Sequence, residues 1–292
     1  MCKKIGIVTD SHSGISQADA QQMGIMVLPM PFYCDEECFY EGVSITRDEF
    51  FEKLETGQKV STSQPSPEEV MNIWREALQR FDQILYMPLT SGLSGAYNTA
   101  CVLASEDEFA GKVLVVDHGR ISTPLRRTIM DALEMIGDGL SGEQIKEIVE
   151  KQRDKMSIYI AVETLEYLKR GGRITGAAAA IGTVLHIKPI LRVTTGLIDS
   201  FKKTRGMKKA RKEMLEAIAN DMQTVFHEEY EKGQIHLLMA SSADETTTQG
   251  WLEEIQAYFP DMEVMSDNLS MGISCHTGPG GLGVGISCVP QR

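Results

Sequence analysis

The sequence predicts a two-domain α/β protein, with an N-terminal domain over residues 1–155 and a C-terminal domain over residues 156–292. In the first part, short apolar runs alternate with helical patterns, which is typical of strands in a largely parallel, Rossmann-like sheet flanked by helices. In the second part, a hairpin and several helices indicate an α+β domain with a mostly antiparallel sheet. A chain of 292 residues with 42% hydrophobic content is long enough to build two cores.

The strands of the first domain are short apolar runs, and helices follow where apolar residues recur every three or four positions. Two capping boxes mark helix starts, Thr46 with Glu49 and Ser66 with Glu69. The strands are expected at residues 5–8, 25–33, 39–45, 84–87 and 113–116, and the helices near 16–23, 46–54, 66–81, 96–103, 124–136 and 145–155.

The second domain starts with an apolar strand and a short helix that glycines close at residues 171–172. Residues 194–196 are predicted to form a hairpin turn, and a small-residue segment over 177–185 precedes it. The strands are expected at residues 158–162, 187–193, 197–201, 235–240 and 284–289, and further helices at 207–231 and 246–258.

The stretch over residues 87–96 joins a strand to a helix through a proline and a loop with two glycines. The first N–H groups of such a helix point outward, and glycines let a ligand approach the main chain. The hydroxyl of Ser94 adds a donor, so the loop suits an anion such as a carboxylate. The simpler interpretation is an ordinary turn in which Ser94 caps the helix.

The charge and hydropathy of the chain exclude some classes of protein. A net charge of −12 disfavours binding to nucleic acids or anionic membranes in general, because these partners would be repelled. No run of 18 apolar residues is present, and the first strand turns polar at Thr9 before it could serve as a signal sequence. We therefore expect a cytoplasmic protein without stable membrane insertion.

Six cysteines in a chain of this length do not suggest a secreted disulfide framework. Cys34 and Cys38 have the spacing of half a zinc site, but no second pair of cysteines or histidines stands at a matching spacing. A hairpin turn between these two cysteines is the preferred interpretation, and no metal site is expected.

Three further residues are candidates for binding, each with a structural alternative. Thr62 stands just before a capped helix and can be a plain loop hydroxyl. Arg173 follows a helix end, where a cation also favours the helix dipole. His276 stands in a run with four glycines over residues 275–283, where the backbone must bend or approach a ligand closely, although a lone histidine is often structural.

Six blocks of the sequence, taken together and in order, resemble the DegV family. They span nearly the whole chain, at residues 9–11, 62–66, 91–95, 165–174, 188–191 and 276–280. The resemblance implies a bacterial lipid-binding protein of two α/β domains. It also implies one long-chain fatty acid, such as palmitate, in a buried tunnel of the N-terminal domain, with its carboxylate near the domain junction and with no other cofactor.

The same resemblance assigns roles to individual residues. Thr62 and Ser94 match the positions that bind the fatty acid carboxylate, and Arg173 and His276 match residues near the head group, with Ser63 and Gly95 beside them. The protein would be a non-catalytic carrier in lipid transport and fatty acid metabolism. Its partner would be a separate ATP-dependent fatty acid kinase, which makes an acyl phosphate from the presented acid.

The sequence departs from the family pattern at three places. Residues 118–127 carry a proline and three arginines where a run rich in serine and glycine is usual, which affects the pocket wall or a docking face. His186 stands where asparagine is common, and Glu41 where aspartate is common. These departures concern ligand length and partner choice more than fold.

The main alternative is a serine hydrolase or esterase that uses Ser94. The second glycine follows this serine directly, one position earlier than in the nucleophile elbow Gly-x-Ser-x-Gly. His276 would be the base and Asp10 or Asp117 its partner, although the sequence does not bring them together. A nucleotide-binding enzyme is disfavoured, since no Gly-x-x-x-x-Gly-Lys-Ser/Thr is present and no Gly-x-Gly-x-x-Gly follows a predicted strand.

Overall fold

The computed structural model describes residues 3–175, 187–194 and 197–291, and within them the strands form three sheets. In chain order the strands are β1 (Ile5–Asp10), β2 (Met26–Leu28), β3 (Pro31–Cys34), β4 (Glu37–Tyr40), β5 (Val60–Thr62), β6 (Gln83–Met87), β7 (Val113–Val115), β8 (Met156–Ala161), β9 (Ile187–Thr194), β10 (Leu197–Arg205), β11 (Ile235–Ser241), β12 (Val264–Asn268) and β13 (Leu282–Cys288). The helices are α1 (Gln17–Met23), α2 (Arg47–Glu55), α3 (Pro67–Leu78), α4 (Ala96–Ala104), α5 (Ser122–Gly137), α6 (Gly142–Lys151), α7 (Glu166–Gly171), α8 (Met207–Gln223), α9 (His227–Glu231), α10 (Glu245–Tyr258) and α11 (Met271–Thr277), with a 3₁₀ turn at Ser11–Ser13.

The first sheet is fully parallel, in the order β2-β1-β6-β7. Successive residues of β6 pack against opposite layers, as the two-residue period of a strand requires. Tyr86 contacts Trp74 of α3 edge-to-face, with ring centroids 5.1 Å apart, while Leu85 packs with Ile129 of α5. This three-layer arrangement confirms the predicted parallel sheet with helices on both faces.

A small antiparallel sheet, β4-β3-β5, stands apart from the first. The single strand expected over residues 25–33 is wrong, because the chain leaves the first sheet after β2 and starts a hairpin at β3. Asp35 makes the turn with φ 52°, so Cys34 and Cys38 flank a hairpin as expected. Met271 and Cys275 of α11 pack against this sheet.

The third sheet has the order β10-β9-β8-β13-β11-β12 and is antiparallel except for the β11–β12 pair. One face packs on α8 and α10 around Trp251 and Met214. The other face carries Ile160 and Val193, and these pack with Leu93 from the loop after β6. The second half of the chain thus closes over the carboxyl edge of the first sheet.

Three features of the second half differ from expectation, and the first is the edge strand β12, which was not predicted. The helix predicted over residues 207–231 is two helices, since the backbone leaves helical geometry at Thr224 (φ −120°, ψ −68°). The short helix α11 was not predicted, because its apolar pattern extends over only seven residues. The hairpin of β9 and β10 is present, and residues 195–196 of its predicted turn lie outside the described residues, as do 177–185.

The chain passes from the first sheet to the third between the end of α6 at Lys151 and the start of β8 at Met156. The division into two domains at residue 155 stays a prediction. Within the part of the chain that the structure describes, no helix is both long and apolar enough to cross a bilayer.

Candidate functional site

The candidate site lies where β1 and β6 of the parallel sheet end, the edge at which α/β proteins bind ligands. Asp10, the last residue of β1, ties the two following loops together. Its Oδ2 accepts from the backbone N–H of Leu89 at 2.7 Å, and its Oδ1 accepts from the N–H of His12 at 3.0 Å. The loop after β6 is therefore fixed to the turn after β1.

A cavity of ≈ 60 Å³ lies at this edge and is lined by both halves of the chain. The first half contributes the segment around Thr62 and the loop after β6. The second half contributes α11 and Arg173, which follows the C-cap residue of α7. The polar side chains that line it include His12, Thr62, Ser63, Ser94, Arg173 and His276. The structure thus brings five of the six predicted site residues to one cavity.

The sixth predicted residue, Gly95, does not line this cavity but stands next to it. It is the N-cap of α4, and a Cβ at this position would lie 3.4 Å from Oε1 of Gln64, so the segment around Thr62 packs directly on the loop around Ser94. The interpretation of Ser94 as the N-cap is wrong by one position, since Ser94 precedes the cap.

Ser94 lines the cavity, and its hydroxyl is free to donate a hydrogen bond. Its Oγ accepts from the backbone N–H of Ala96 at 3.2 Å, which uses one oxygen lone pair. A hydroxyl has one O–H donor besides its two acceptor positions, so Ser94 can still donate to a ligand.

Thr62 and His276 contact each other, with 2.9 Å between Thr62 Oγ1 and His276 Nε2. Nδ1 of His276 is buried without a hydrogen-bond partner in the described part of the chain. A buried acceptor without a partner is tolerated better than a buried donor. We therefore place the proton on Nε2, which donates to Thr62 and leaves the threonine O–H free for a ligand.

Burial, together with the smaller effect of the nearby charge of Arg173, lowers the pKa of His276 to about 4. The imidazole is consequently neutral near neutral pH. It also fits tightly, because a Cβ on Gly171 would lie 2.0 Å from its Nδ1.

Arg173 brings the positive charge of the site. Gly172, with φ 66°, ends α7 and turns the chain so that the guanidinium reaches back over the loop after β6. Nη1 donates to the carbonyl of Gly171 at 2.6 Å and Nε to that of Leu93 at 3.4 Å. No carboxylate of a described residue forms an ion pair with it, so an anion in the cavity would meet an uncompensated cation.

His12 is a cavity residue that the sequence did not single out. It lies in the 3₁₀ turn after β1, and its Nδ1 is 3.2 Å from Asp10 Oδ1. The available signal was the polar run over residues 9–13 directly after a buried strand, which places polar side chains at the ligand-binding edge.

A second cavity of ≈ 70 Å³ lies against the third sheet and is lined mostly by apolar residues. Leu93, Ile121, Ile198 and Ile273 line both cavities and therefore form the wall between them. Since strands β8, β9, β11 and β13 all contribute, this apolar space lies between the two halves of the chain. The expected tunnel within the N-terminal domain stays a prediction.

The unusual segment over residues 118–127 forms part of this apolar wall through Ile121 and Pro124. Two of its arginines, Arg120 and Arg126, contact residues that do not line this cavity. Arg120 is buried and donates to Thr128 Oγ1 at 2.7 Å, and Arg126 pairs with Asp267 at 2.5 Å. The segment therefore contributes to the pocket wall, while an effect on ligand length stays a prediction.

Of the two single-residue departures from the family pattern, Glu41 lies within the described residues and His186 does not. Glu41 is buried, and its Oε1 accepts from the backbone N–H of Met271 at 2.8 Å, which anchors α11.

The triad that a serine hydrolase would need is not assembled. His276 contacts Thr62 rather than Ser94. Asp10 holds His12, and Asp117 accepts from Ser91 at 3.1 Å and from Arg153 at 2.6 Å. Among the described residues, no group of three or more histidines, cysteines or acidic residues is arranged to hold a metal ion.

Comparison with known proteins identifies relatives along the whole chain. The model of the family described as "Uncharacterised protein, DegV family" matches residues 4–288. A DegV domain-containing protein of Caldanaerobacter subterraneus subsp. tengcongensis is 31% identical over 286 residues, which cover 97% of this chain and 98% of the relative.

Two solved structures have the same fold over nearly their full length. The first, a fatty-acid-binding DegV family protein from Thermus thermophilus, has a TM-score of 0.85 and 33% identity over 98% of this chain and 99% of that one. The second, a stearic-acid-binding protein from Eubacterium ventriosum, has a TM-score of 0.86 and 26% identity over 98% of both chains.

Proposed function

Because this chain belongs to the DegV family, we propose that it binds one long-chain fatty acid, such as palmitate, with the carboxylate between Thr62 and Ser94. The fatty-acid-binding relatives of known structure support the ligand class. The observation that carries the proposal is that both hydroxyls line one cavity and each has a protein partner, Ala96 for Ser94 and His276 for Thr62. With the proton of His276 placed on Nε2, both hydroxyls keep a free O–H for an ionised carboxylate, which only accepts hydrogen bonds.

Arg173 supports the anionic nature of the head group. In a protein with a net charge of −12, an arginine that contacts carbonyls and lines a cavity is a local site for an anion. The hydrogen bonds set the position of the carboxylate, and each charge-assisted bond contributes about 1.5–3 kcal/mol.

The acyl tail belongs, in this proposal, to the apolar cavity between the two halves. Burial contributes roughly 0.8 kcal/mol per methylene, so a tail of about fifteen supplies on the order of 12 kcal/mol before ordering costs. Ligand pockets usually hold about 300–1,000 Å³, and the two cavities of ≈ 60 and ≈ 70 Å³ are far smaller. The side chains of Leu93, Ile121, Ile198 and Ile273 must therefore move apart to join them.

The protein then acts as a cytoplasmic carrier that hides the tail and presents the carboxylate to a partner. We propose a separate fatty acid kinase, which makes an acyl phosphate, as this partner. The absence of a Gly-x-x-x-x-Gly-Lys-Ser/Thr motif from the sequence supports this division, since the phosphoryl donor would be bound by another chain.

Native mass spectrometry of the purified protein, followed by solvent extraction and lipid identification, tests the ligand. We expect a one-to-one complex with a saturated or monounsaturated acid in the palmitate to stearate range. A protein that is empty and is not stabilised by added palmitate would contradict the proposal. Labelling of Ser94 by a fluorophosphonate would instead support the hydrolase alternative.

A further inference from the structure

His12 is held in one orientation by Asp10. The carboxylate of Asp10 is fully buried and accepts two backbone N–H groups, so its remaining capacity is to accept from Nδ1 of His12 at 3.2 Å. A neutral imidazole carries one proton. That proton is consequently on Nδ1, and Nε2 has an unshared electron pair.

Nε2 of His12 lies close to the backbone of Gly272. A Cβ placed on Gly272 would lie 2.8 Å from it, and Gly272 lines the same cavity as His12. Within residues 3–175, 187–194 and 197–291, this nitrogen makes no hydrogen bond. The ring therefore presents an acceptor to a cavity whose proposed ligand is itself an acceptor.

We infer that the fatty acid carboxylate binds together with one proton from solvent, which adds to Nε2 of His12 and makes this residue a third contact of the head group. The inference rests on the proposed function. The added proton converts His12 to an imidazolium between two carboxylates, with Nδ1–H donating to Asp10 and Nε2–H donating to the ligand. One N–H bond forms at Nε2, to a proton that the solvent supplies, and this bond breaks and the proton returns to solvent when the acid leaves.

The other ionisable groups around His12 are less suited to take up this proton. His276 already donates to Thr62, and its second nitrogen is buried against Gly171. Burial raises the pKa of Glu41, but this carboxyl does not line the cavity, and its Oε1 accepts from the backbone N–H of Met271. Arg173 is a permanent cation.

On the far side of the turn, a Cβ on Gly14 would lie 3.9 Å from the Cβ of Asp267. Burial raises the pKa of Asp267 to about 6 in spite of its pairing with Arg126 of α5, but Asp267 does not line the cavity. His12 thus lines the cavity with an unprotonated nitrogen that makes no hydrogen bond to a described residue, whereas burial lowers the pKa of His276 to about 4. Histidine is the side chain that changes charge near neutral pH.

Titration calorimetry with dodecanoate, a more soluble fatty acid, tests the inference. The measurement is made near neutral pH in phosphate and in Tris, whose heats of ionisation differ strongly. The intact protein should show an apparent binding enthalpy that differs between the buffers by the uptake of about one proton. Its Kd should rise up to about tenfold per pH unit above neutrality.

Two variants separate His12 from the other histidines. His12→Gln keeps a polar side chain that cannot titrate, and it should bind dodecanoate with the same enthalpy in both buffers. His227→Gln changes an exposed histidine of α9 and should keep the buffer dependence of the intact protein. Proton uptake that persists in His12→Gln would overturn the inference.

The intact protein alone also decides the question if His12→Gln does not fold. In ¹⁵N-imidazole spectra, one of the six histidines should change from neutral to imidazolium when dodecanoate is added. Binding without such a change, or with equal enthalpy in both buffers, would overturn the inference and leave the proposed function intact. Failure of both dodecanoate and palmitate to bind would contradict the proposed function itself.

Discussion

Thr62 Oγ1 lies 2.9 Å from His276 Nε2, although 214 residues separate the two in the chain. The contact joins the end of β5 in the first half to α11, and Met271 and Cys275 of the same helix pack on the small sheet. The head-group site therefore exists only when both ends of the chain are folded together. Changes at either residue are expected to act on ligand binding.

Removing either free hydroxyl should weaken fatty acid binding. Thr62→Val and Ser94→Ala each delete one donor to the carboxylate, and we expect a loss of about 10- to 100-fold in palmitate affinity. Thr56→Val and Ser105→Ala change exposed residues at the ends of α2 and α4 and should bind like the intact protein. Unchanged affinity in both site variants would contradict their assignment.

Substitution of Gly171 should disturb the head group through His276. A Cβ at this position would lie 2.0 Å from Nδ1 of the imidazole, so Gly171→Ala must displace the ring from Thr62. We expect weaker palmitate binding, measured by calorimetry. Gly250→Ala is the matched control, because no atom lies within 4 Å of a Cβ there. Equal affinity in Gly171→Ala and in the control would show that the Thr62–His276 contact is not needed.

The sequence allows the parallel sheet and the hydroxyl of Ser94 to be predicted, because their signals are local. Strand runs, capping boxes and glycine loops depend on neighbours within a few residues, and Ser94 stands in one such loop. Thr62 and His276 were named through a family resemblance. Their contact cannot be derived from spacing, since it depends on how α11 docks on the small sheet.

A related reason explains why neither His12 nor the apolar cavity was predicted. His12 acquires its role from Asp10 on one side and Gly272 on the other, and Gly272 is 260 positions away in the sequence. The apolar cavity is built from Ile121 and from strands of the third sheet, so neither half alone encodes it.

Filling the apolar cavity should shorten the preferred acyl chain. Ala240 lines this cavity, and Ala240→Leu adds side-chain volume to a space of ≈ 70 Å³. We expect stearate affinity to fall at least tenfold more than dodecanoate affinity, since the shorter tail needs less of the space. Ala217 lies on α8, which packs on the opposite face of the same sheet. Ala217→Leu overpacks that core and should lower stability without changing this selectivity. Equal losses for both acids in Ala240→Leu would place the tail elsewhere.

The buried state of His276 should make the protein less stable in acid. Burial lowers its pKa from 6.5 to about 4, so between these values the unfolded chain binds a proton that the folded protein does not. Stability is therefore fully present above pH 6.5 and is lost as the pH falls towards 4. The contribution of this one group is at most about 3 kcal/mol.

Urea unfolding across this pH range measures the effect. His276→Gln cannot titrate, and its free energy of unfolding should fall less steeply than that of the intact protein as the pH is lowered. Parallel curves for the two proteins would mean that His276 is protonated to the same extent in the folded and unfolded states.

The central claim is that two hydroxyls hold a fatty acid carboxylate between the halves of the chain. A crystal structure of the protein with palmitate tests it most directly. The account predicts carboxylate oxygens within about 3 Å of Thr62 Oγ1 and Ser94 Oγ, with the tail displacing Leu93 and Ile273 to reach the apolar cavity. A carboxylate that contacts neither hydroxyl, or a tail outside the space between the two halves, would contradict the account.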